Sequence, residues 1–203
     1  AKRLNAKYPS DGFGKFQFVY RKRVWSKSEN VYLGWERKRG FIEQFNHYLL
    51  GKIKNPFLVN SMEEETQKKP DIRYIITLDA DTNLVLNSGL ELVGAMAHIL
   101  NQPELDQTGH AVVAGHALLQ PRIGIDLVSS RKSKFAQIFA GAGGTDSYTN
   151  AISDTYQDNF EEGIFTGKGI YDLKVFTSIL KNQIPENTVL SHDLLEGNYA
   201  RCG

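Results

Sequence analysis

The run RYIITLDADT, residues 73–82, limits the fold more than any other stretch of the chain. Tyr74 to Leu78 are apolar or β-branched with no polar alternation, the pattern of a central strand covered on both faces. The run then stops on two carboxylates, Asp79 and Asp81, with one residue between them. Paired acids at the end of a buried strand repel each other unless something positive meets them. Ligands of open α/β sheets bind beyond the carboxyl ends of the strands, so Asp79 and Asp81 fall where a site belongs.

The flanking sequence supplies the other elements. A strand is expected near Phe16 to Tyr20. In GWERKRGFIEQFNHYLLG, Phe41, Phe45, Tyr48 and Leu49 recur at helical spacing, and Gly51 stands where a C-cap belongs. Ser88 is placed to cap a helix running to about Leu100, with Leu90, Val93, Ala97 and Leu100 inward. HAVVAGHALLQPR reads as one strand ended by Pro121, and a helix is expected from Ser130 to Ala140. GAGGTDSYTN reads as a Gly-rich loop and GIFTGKGIYDL as a strand with internal glycines. VFTSILK is a short helix, and the last segment begins as a loop and becomes helical. This alternation predicts a single α/β domain with helices on both faces of its sheet.

Composition narrows the class. A chain of 203 residues is long enough for one domain with a real core. No run of about 18 apolar residues is present, so no membrane-spanning helix is expected. The opening AKRLNAKYPS has no apolar core of a signal peptide. The single cysteine, Cys202, excludes an internal disulfide and fits a reducing compartment. The net charge of +1 hides an asymmetry: residues 1–54 carry 13 Lys and Arg against 4 Asp and Glu, and the remainder 11 against 19. A basic segment beside an acidic one suits two faces of a site for a metal-bound phosphate; a basic patch for an anionic surface, or a solvated charged face, remains open.

Residues i and i+2 of an extended segment point the same way, so Asp79 and Asp81 can present two oxygens to one hard cation. A solvated Asx turn is the plain alternative. A calcium loop is excluded, because Leu84 and Leu90 stand where that loop needs Gly and Glu. Asp-x-Asp-x-Thr also matches phosphatases with an aspartate nucleophile, in which Asp79 would attack and Asp81 act as general acid. The third reading is the Asp-x-Asp of nucleotide-sugar glycosyltransferases, whose metal neutralises charge on the leaving diphosphate. A non-catalytic anion-binding module, held by the basic N-terminal segment, stays open as well.

The blocks GWERKRG, LDADT, LLQPR, GKGIYD and ENTVLSHDLLEG, in this order and spacing, closely resemble the glycosyltransferase region of the cyclic β-1,2-glucan synthases. The resemblance runs from FVYRKRVW to EGNYARCG and includes GAMAHILNQP and SDTYQDNFEEG. It implies a GT-A-like α/β fold with a mixed, mainly parallel sheet, truncated at its N-terminal side. It implies an inverting, metal-dependent transfer of glucose from a UDP-glucose donor to a β-1,2-glucan acceptor, with Mg²⁺ or Mn²⁺ as cofactor and no nucleic acid as partner. The parent proteins of that family are large and membrane-embedded and work on the cytoplasmic face of the bacterial inner membrane, so this chain looks like an excised soluble piece. Separated from the other domains and the transmembrane segments, it is expected to be inactive or very weak, with apolar faces exposed for homodimerisation.

The resemblance also assigns roles. Asp79 resembles the acid that holds the donor ribose and positions the metal, Asp81 the principal metal ligand, and Asp193 the catalytic base of inverting enzymes such as cellulose and chitin synthases. An N-cap or first-turn acid of the last helix is the alternative for Asp193, and the two roles can coexist. Lys38 and Arg39 fall where related synthases keep a basic residue near the donor, and a solvated helix start is the alternative. Gln120 and Arg122 end a strand at the site edge. Gly167, Lys168 and Gly169 occupy the place of a Gly-containing acceptor segment, and glycines there would let backbone approach a sugar. His192 and Glu196 flank the base, on the acceptor side; His192 is a candidate to touch metal or phosphate, with a plain hydrogen-bonding role as the alternative. Trp25 and Trp35 are candidates for stacking on sugars or for packing.

Overall fold

The computed structural model describes residues 1–64, 68–124, 126–139, 157–189 and 191–203. The Gly-rich loop of residues 141–150 and the start of SDTYQDNFEEG lie outside them. The chain forms two compact units, Ala1–Arg73 with Ile184–Leu190, and Tyr74–Gln183 with Ser191–Gly203.

The first unit begins with helix α1, Lys2–Lys7. Strand β1, Val19–Tyr20, pairs antiparallel with β4, Val59–Asn60. Strands β2, Val24–Ser26, and β3, Val31–Leu33, form a hairpin. Helix α2 spans Arg37–Leu49, and Gly51 follows it at φ +68°. As the helical spacing predicts, the Phe41–Phe45 face of α2 turns inward. Tyr48, Phe57 and Met62 form the buried cluster, with Phe41, Phe45 and Leu49 packed against it. Residues 184–190 are tied on by Arg39 Nη1 to the Ile184 carbonyl at 3.4 Å and by the Asn187 amide to Glu36 Oε1 at 2.7 Å.

The second unit is built on a three-stranded sheet of β5 (Tyr74–Thr77), β9 (Gly169–Asp172) and β8 (Leu118–Leu119), with β9 in the centre. Its ladders are antiparallel, whereas a mainly parallel sheet is expected from the sequence. Parallel neighbours need a crossover that returns to the adjacent position. Helix α3, Ser88–Ala97, is not such a crossover: the chain leaves it for a separate hairpin, β6 (Glu104–Leu105) with β7 (Val112–Ala114). β5 and β8 therefore run the same way, but β9 stands between them. Residues 202–203 add a further edge, with a parallel bridge from Cys202 to Leu118 and the Gly203 amide bonded to the Leu118 carbonyl at 3.0 Å.

Other expectations change in detail. HAVVAGHALLQPR breaks into β7 and β8 at Gly115, whose φ is +64° and where a Cβ would stand 2.0 Å from the Gln102 carbonyl oxygen. Helix α3 stops at Ala97 and buries Met96, while Leu90 and Leu100 are 76% and 77% exposed, so the expected inward stripe is wrong. The helix expected over Ser130 to Ala140 is two short pieces, α4 (Leu127–Ser130) and α5 (Lys134–Phe139). The Asp126 side chain accepts from the Val128 and Ser129 amides and starts α4 early. Asp172 likewise caps α6, Leu173–Ile179, and the last helix, α7, spans Asp193–Tyr199. The core of this unit is Met96, Leu118, Ile170, Tyr171, Leu173, Phe176 and Ile179 with Cys202. No helix among the described residues is long and apolar enough to cross a membrane.

Candidate functional site

Antiparallel pairing brings the carboxyl end of β5 beside the amino end of β9. Thr77 faces Gly169 in the register. The residues just beyond are therefore neighbours: Lys168 Nζ lies 2.9 Å from Asp79 Oδ2. Both side chains are partly exposed, and such a pair contributes on the order of 1 kcal/mol. The extended geometry expected for Asp79 to Asp81 is not adopted. The Thr82 amide donates to the Asp79 carbonyl at 3.1 Å, closing a turn over Ala80 and Asp81 and leaving Asp81 exposed.

On the other side of the same segment stands the last helix. Gly167 is buried with φ +84°. A Cβ there would lie 2.9 Å from Asp193 Oδ1 and 3.0 Å from Oδ2, so the carboxylate sits directly against the glycine. One turn later Gly197 repeats the device, because its Cβ would lie 2.8 Å from that of Phe165. Two missing side chains thus let α7 close onto the segment that leads into β9. Around Asp193, His192 Nδ1 is 3.6 Å from Asp193 Oδ1 and 2.8 Å from Glu196 Oε2.

Gln120 has a positioning task. Its Oε1 accepts from the Thr166 amide at 3.0 Å and its Nε2 donates to the Pro121 carbonyl at 2.9 Å, which ties the end of β8 to the Gly167–Gly169 segment. Gly169 is needed within the sheet, since a Cβ there would meet the Leu119 carbonyl oxygen at 2.4 Å. Arg122 is exposed and lines a cavity of about 540 Å³ with Asp81, Thr82, Ser88, Asp126 and Lys168. Asp126, which sequence reasoning missed, is held below the usual carboxylate range by the Val128 amide and the Ser129 hydroxyl. Its only signal was Asp before a short apolar run, a weak cap pattern.

Lys38 and Arg39 lie on α2 of the first unit. Arg39 is 8% exposed and its guanidinium is engaged there: Nη2 is 2.6 Å from Glu36 Oε2, Nη1 is 3.7 Å from Glu43, and the group stacks over Trp35. Lys38 is half-buried. Trp25 is half-exposed on the β2–β3 hairpin and meets Tyr32 edge-on. Trp35 packs against Gly40, where a Cβ would lie 2.7 Å from its ring.

No family model matches the chain. The cyclic beta-(1,2)-glucan synthase NdvB of Rhizobium meliloti (strain 1021) is 43% identical over 202 residues, which is 98% of this chain and 7% of that protein. The chain thus spans a small fraction of its relative's length. The matched stretch of 202 residues runs past β5, the segment leading into β9 and the last helix. This chain belongs, as a segment, to the cyclic β-(1,2)-glucan synthase family.

Proposed function

We propose that this chain carries part of a glucosyltransferase site that moves glucose from UDP-glucose to a growing β-1,2-glucan with inversion, within a larger membrane-associated synthase. The supporting observation is the convergence of Asp79, Lys168, Gly167 and Asp193 at one end of the β5–β9 sheet, in a chain so similar to a glucan synthase. The cavity beside them has acids and cations on its wall, as a metal-bound diphosphate requires.

The chemistry follows from the stereochemical change. An α-linked donor gives a β-linked product through one in-line displacement. The acceptor oxygen bonds to the sugar C1 as the C1–phosphate oxygen bond breaks, and the electron pair leaves on UDP. The acceptor hydroxyl proton goes to the Asp193 carboxylate, the general base. Gly167 fixes where that carboxylate stands. Lys168, on a flexible stem, follows phosphate oxygens as a point charge, and Arg122 on the cavity wall can bind them in bidentate fashion. Asp79 and Asp81 offer an all-oxygen, solvent-accessible donor set, which fits a hard cation such as Mg²⁺ or Mn²⁺ that keeps several waters. That cation would supply charge neutralisation on the leaving diphosphate.

The competing reading is an aspartate-nucleophile phosphatase, and the Lys168–Asp79 pair serves it equally well. Calorimetry of UDP-glucose against this chain, with and without Mn²⁺ and with Asp81→Ala, separates the two. Binding that requires both metal and Asp81 supports the transferase site. Binding indifferent to both, or beryllofluoride trapped on Asp79, would overturn it.

A further inference from the structure

We propose that His192, Asp193 and Glu196 form a second cation site, with a nitrogen-and-oxygen donor set that selects a borderline divalent metal such as Zn²⁺ over Mg²⁺. It uses none of the Asp79 and Asp81 oxygens, and it stands whether or not Asp193 also serves as a base. The sequence builds it directly. In SHDLLEG, Asp193 and Glu196 are three apart on α7, and His192 is four before Glu196. Three- and four-residue spacings share one helix face.

The geometry is that of a ligand set. One ligand atom from each of the three residues lies within 4.8 Å of the others. Two donors on one tetrahedral Zn²⁺ at 2.0–2.2 Å stand about 3.4 Å apart. His192 Nδ1 and Asp193 Oδ1, at 3.6 Å, already match, and His192 Nδ1 and Glu196 Oε2, at 2.8 Å, need to open slightly. The Glu196 side chain is only 4% exposed and the His192 side chain 11%.

Hydrogen bonding does not explain the cluster. Among the described residues, His192 Nδ1, Asp193 Oδ1 and Glu196 Oε2 are buried atoms with no hydrogen-bond partner. The 2.8 Å approach of His192 Nδ1 to Glu196 Oε2 lies within ion-pair distance but is not a hydrogen bond. A buried carboxylate oxygen left so carries a large desolvation cost. Two carboxylates and an imidazole aimed at one point recover it by sharing a cation. Imidazole among the ligands favours Zn²⁺ and its neighbours, while Mg²⁺ prefers oxygen alone.

Zn²⁺ titrated into the 203-residue chain should bind with one equivalent at this site, unaffected by excess Mg²⁺. His192→Gln and Glu196→Gln should each weaken it by about tenfold or more, and Asp81→Ala should leave it unchanged. Long-range ¹H–¹⁵N spectra of the unsubstituted chain should show the His192 Nδ1 resonance shifting on Zn²⁺ addition, so the test does not depend on the variants folding. No Zn²⁺ binding, an unmoved Nδ1 resonance, or binding lost with Asp81→Ala would overturn the proposal.

Discussion

The Asp193 carboxylate occupies the space that a side chain on Gly167 would need, with oxygens 2.9 and 3.0 Å from the would-be Cβ. Gly167 also sits at φ +84°, where an L side chain is strained. Position 167 therefore controls where the acid of α7 stands.

Gly167→Ala should destabilise the second unit by about 1–3 kcal/mol, from backbone strain and the displaced carboxylate together. Gly51→Ala is the control. Its φ is +68°, but no atom lies within 4 Å of its Cβ, so only strain is added. Denaturant unfolding of both variants should show a larger loss for Gly167→Ala. In a full-length synthase that variant should also lose transfer while still binding donor.

Lys168→Met should act in opposite directions on two ligands. Without the ammonium 2.9 Å away, Asp79 is a better cation ligand, so Mn²⁺ alone should bind more tightly. The diphosphate loses a point charge, so UDP-glucose should bind more weakly. Calorimetry with each ligand checks both signs.

Burial pushes the Cys202 thiol up to about 12. The thiolate is the reactive form, so Cys202 should resist iodoacetamide at pH 8 in the folded chain and react in urea. The sign for stability follows. The folded value lies above the ordinary value of a thiol, so stability is intact below about pH 9 and falls as pH rises toward 12. Unfolding midpoints across that range, compared with Cys202→Ala, isolate the effect.

Asp106 titrates in the opposite sense. The Thr108 hydroxyl and the Ala111 and His110 amides donate to its carboxylate and lower it to about 2. A depressed carboxylate contributes above its unfolded value and loses that contribution as pH falls toward 2. Side-chain carboxyl NMR should find Asp106 ionised at pH 3, and the β6–β7 turn should open only below that.

Helix α2 was legible because its aromatic residues recur at one period and a glycine closes it. Strand β5 was legible as a strand because an apolar run of that length has few other uses, but it lies at the sheet's edge with its residues only half-buried, not at the expected centre. Strand direction was not, because periodicity within a strand says nothing of its neighbour; β9 entered the sheet from far along the chain. The turn at Ala80 and Asp81 was missed for a related reason, since Asp-x-Asp reads alike in extended and turned backbone. Arg39 was indistinguishable from Lys38 in sequence, and only folding pairs it with Glu36. His192 and Glu196 carried a readable signal in their helical spacing, but their burial, which gives that spacing chemical weight, appears only in the folded chain.

The assignment of Asp193 as general base is decided by turnover in a full-length synthase of the family carrying Asp193→Asn. Glucose transfer from UDP-glucose should fall by about 10²- to 10⁴-fold, with donor affinity unchanged, as loss of a positioned base requires. Turnover at the unsubstituted rate would contradict it and remove the inverting mechanism built on this residue.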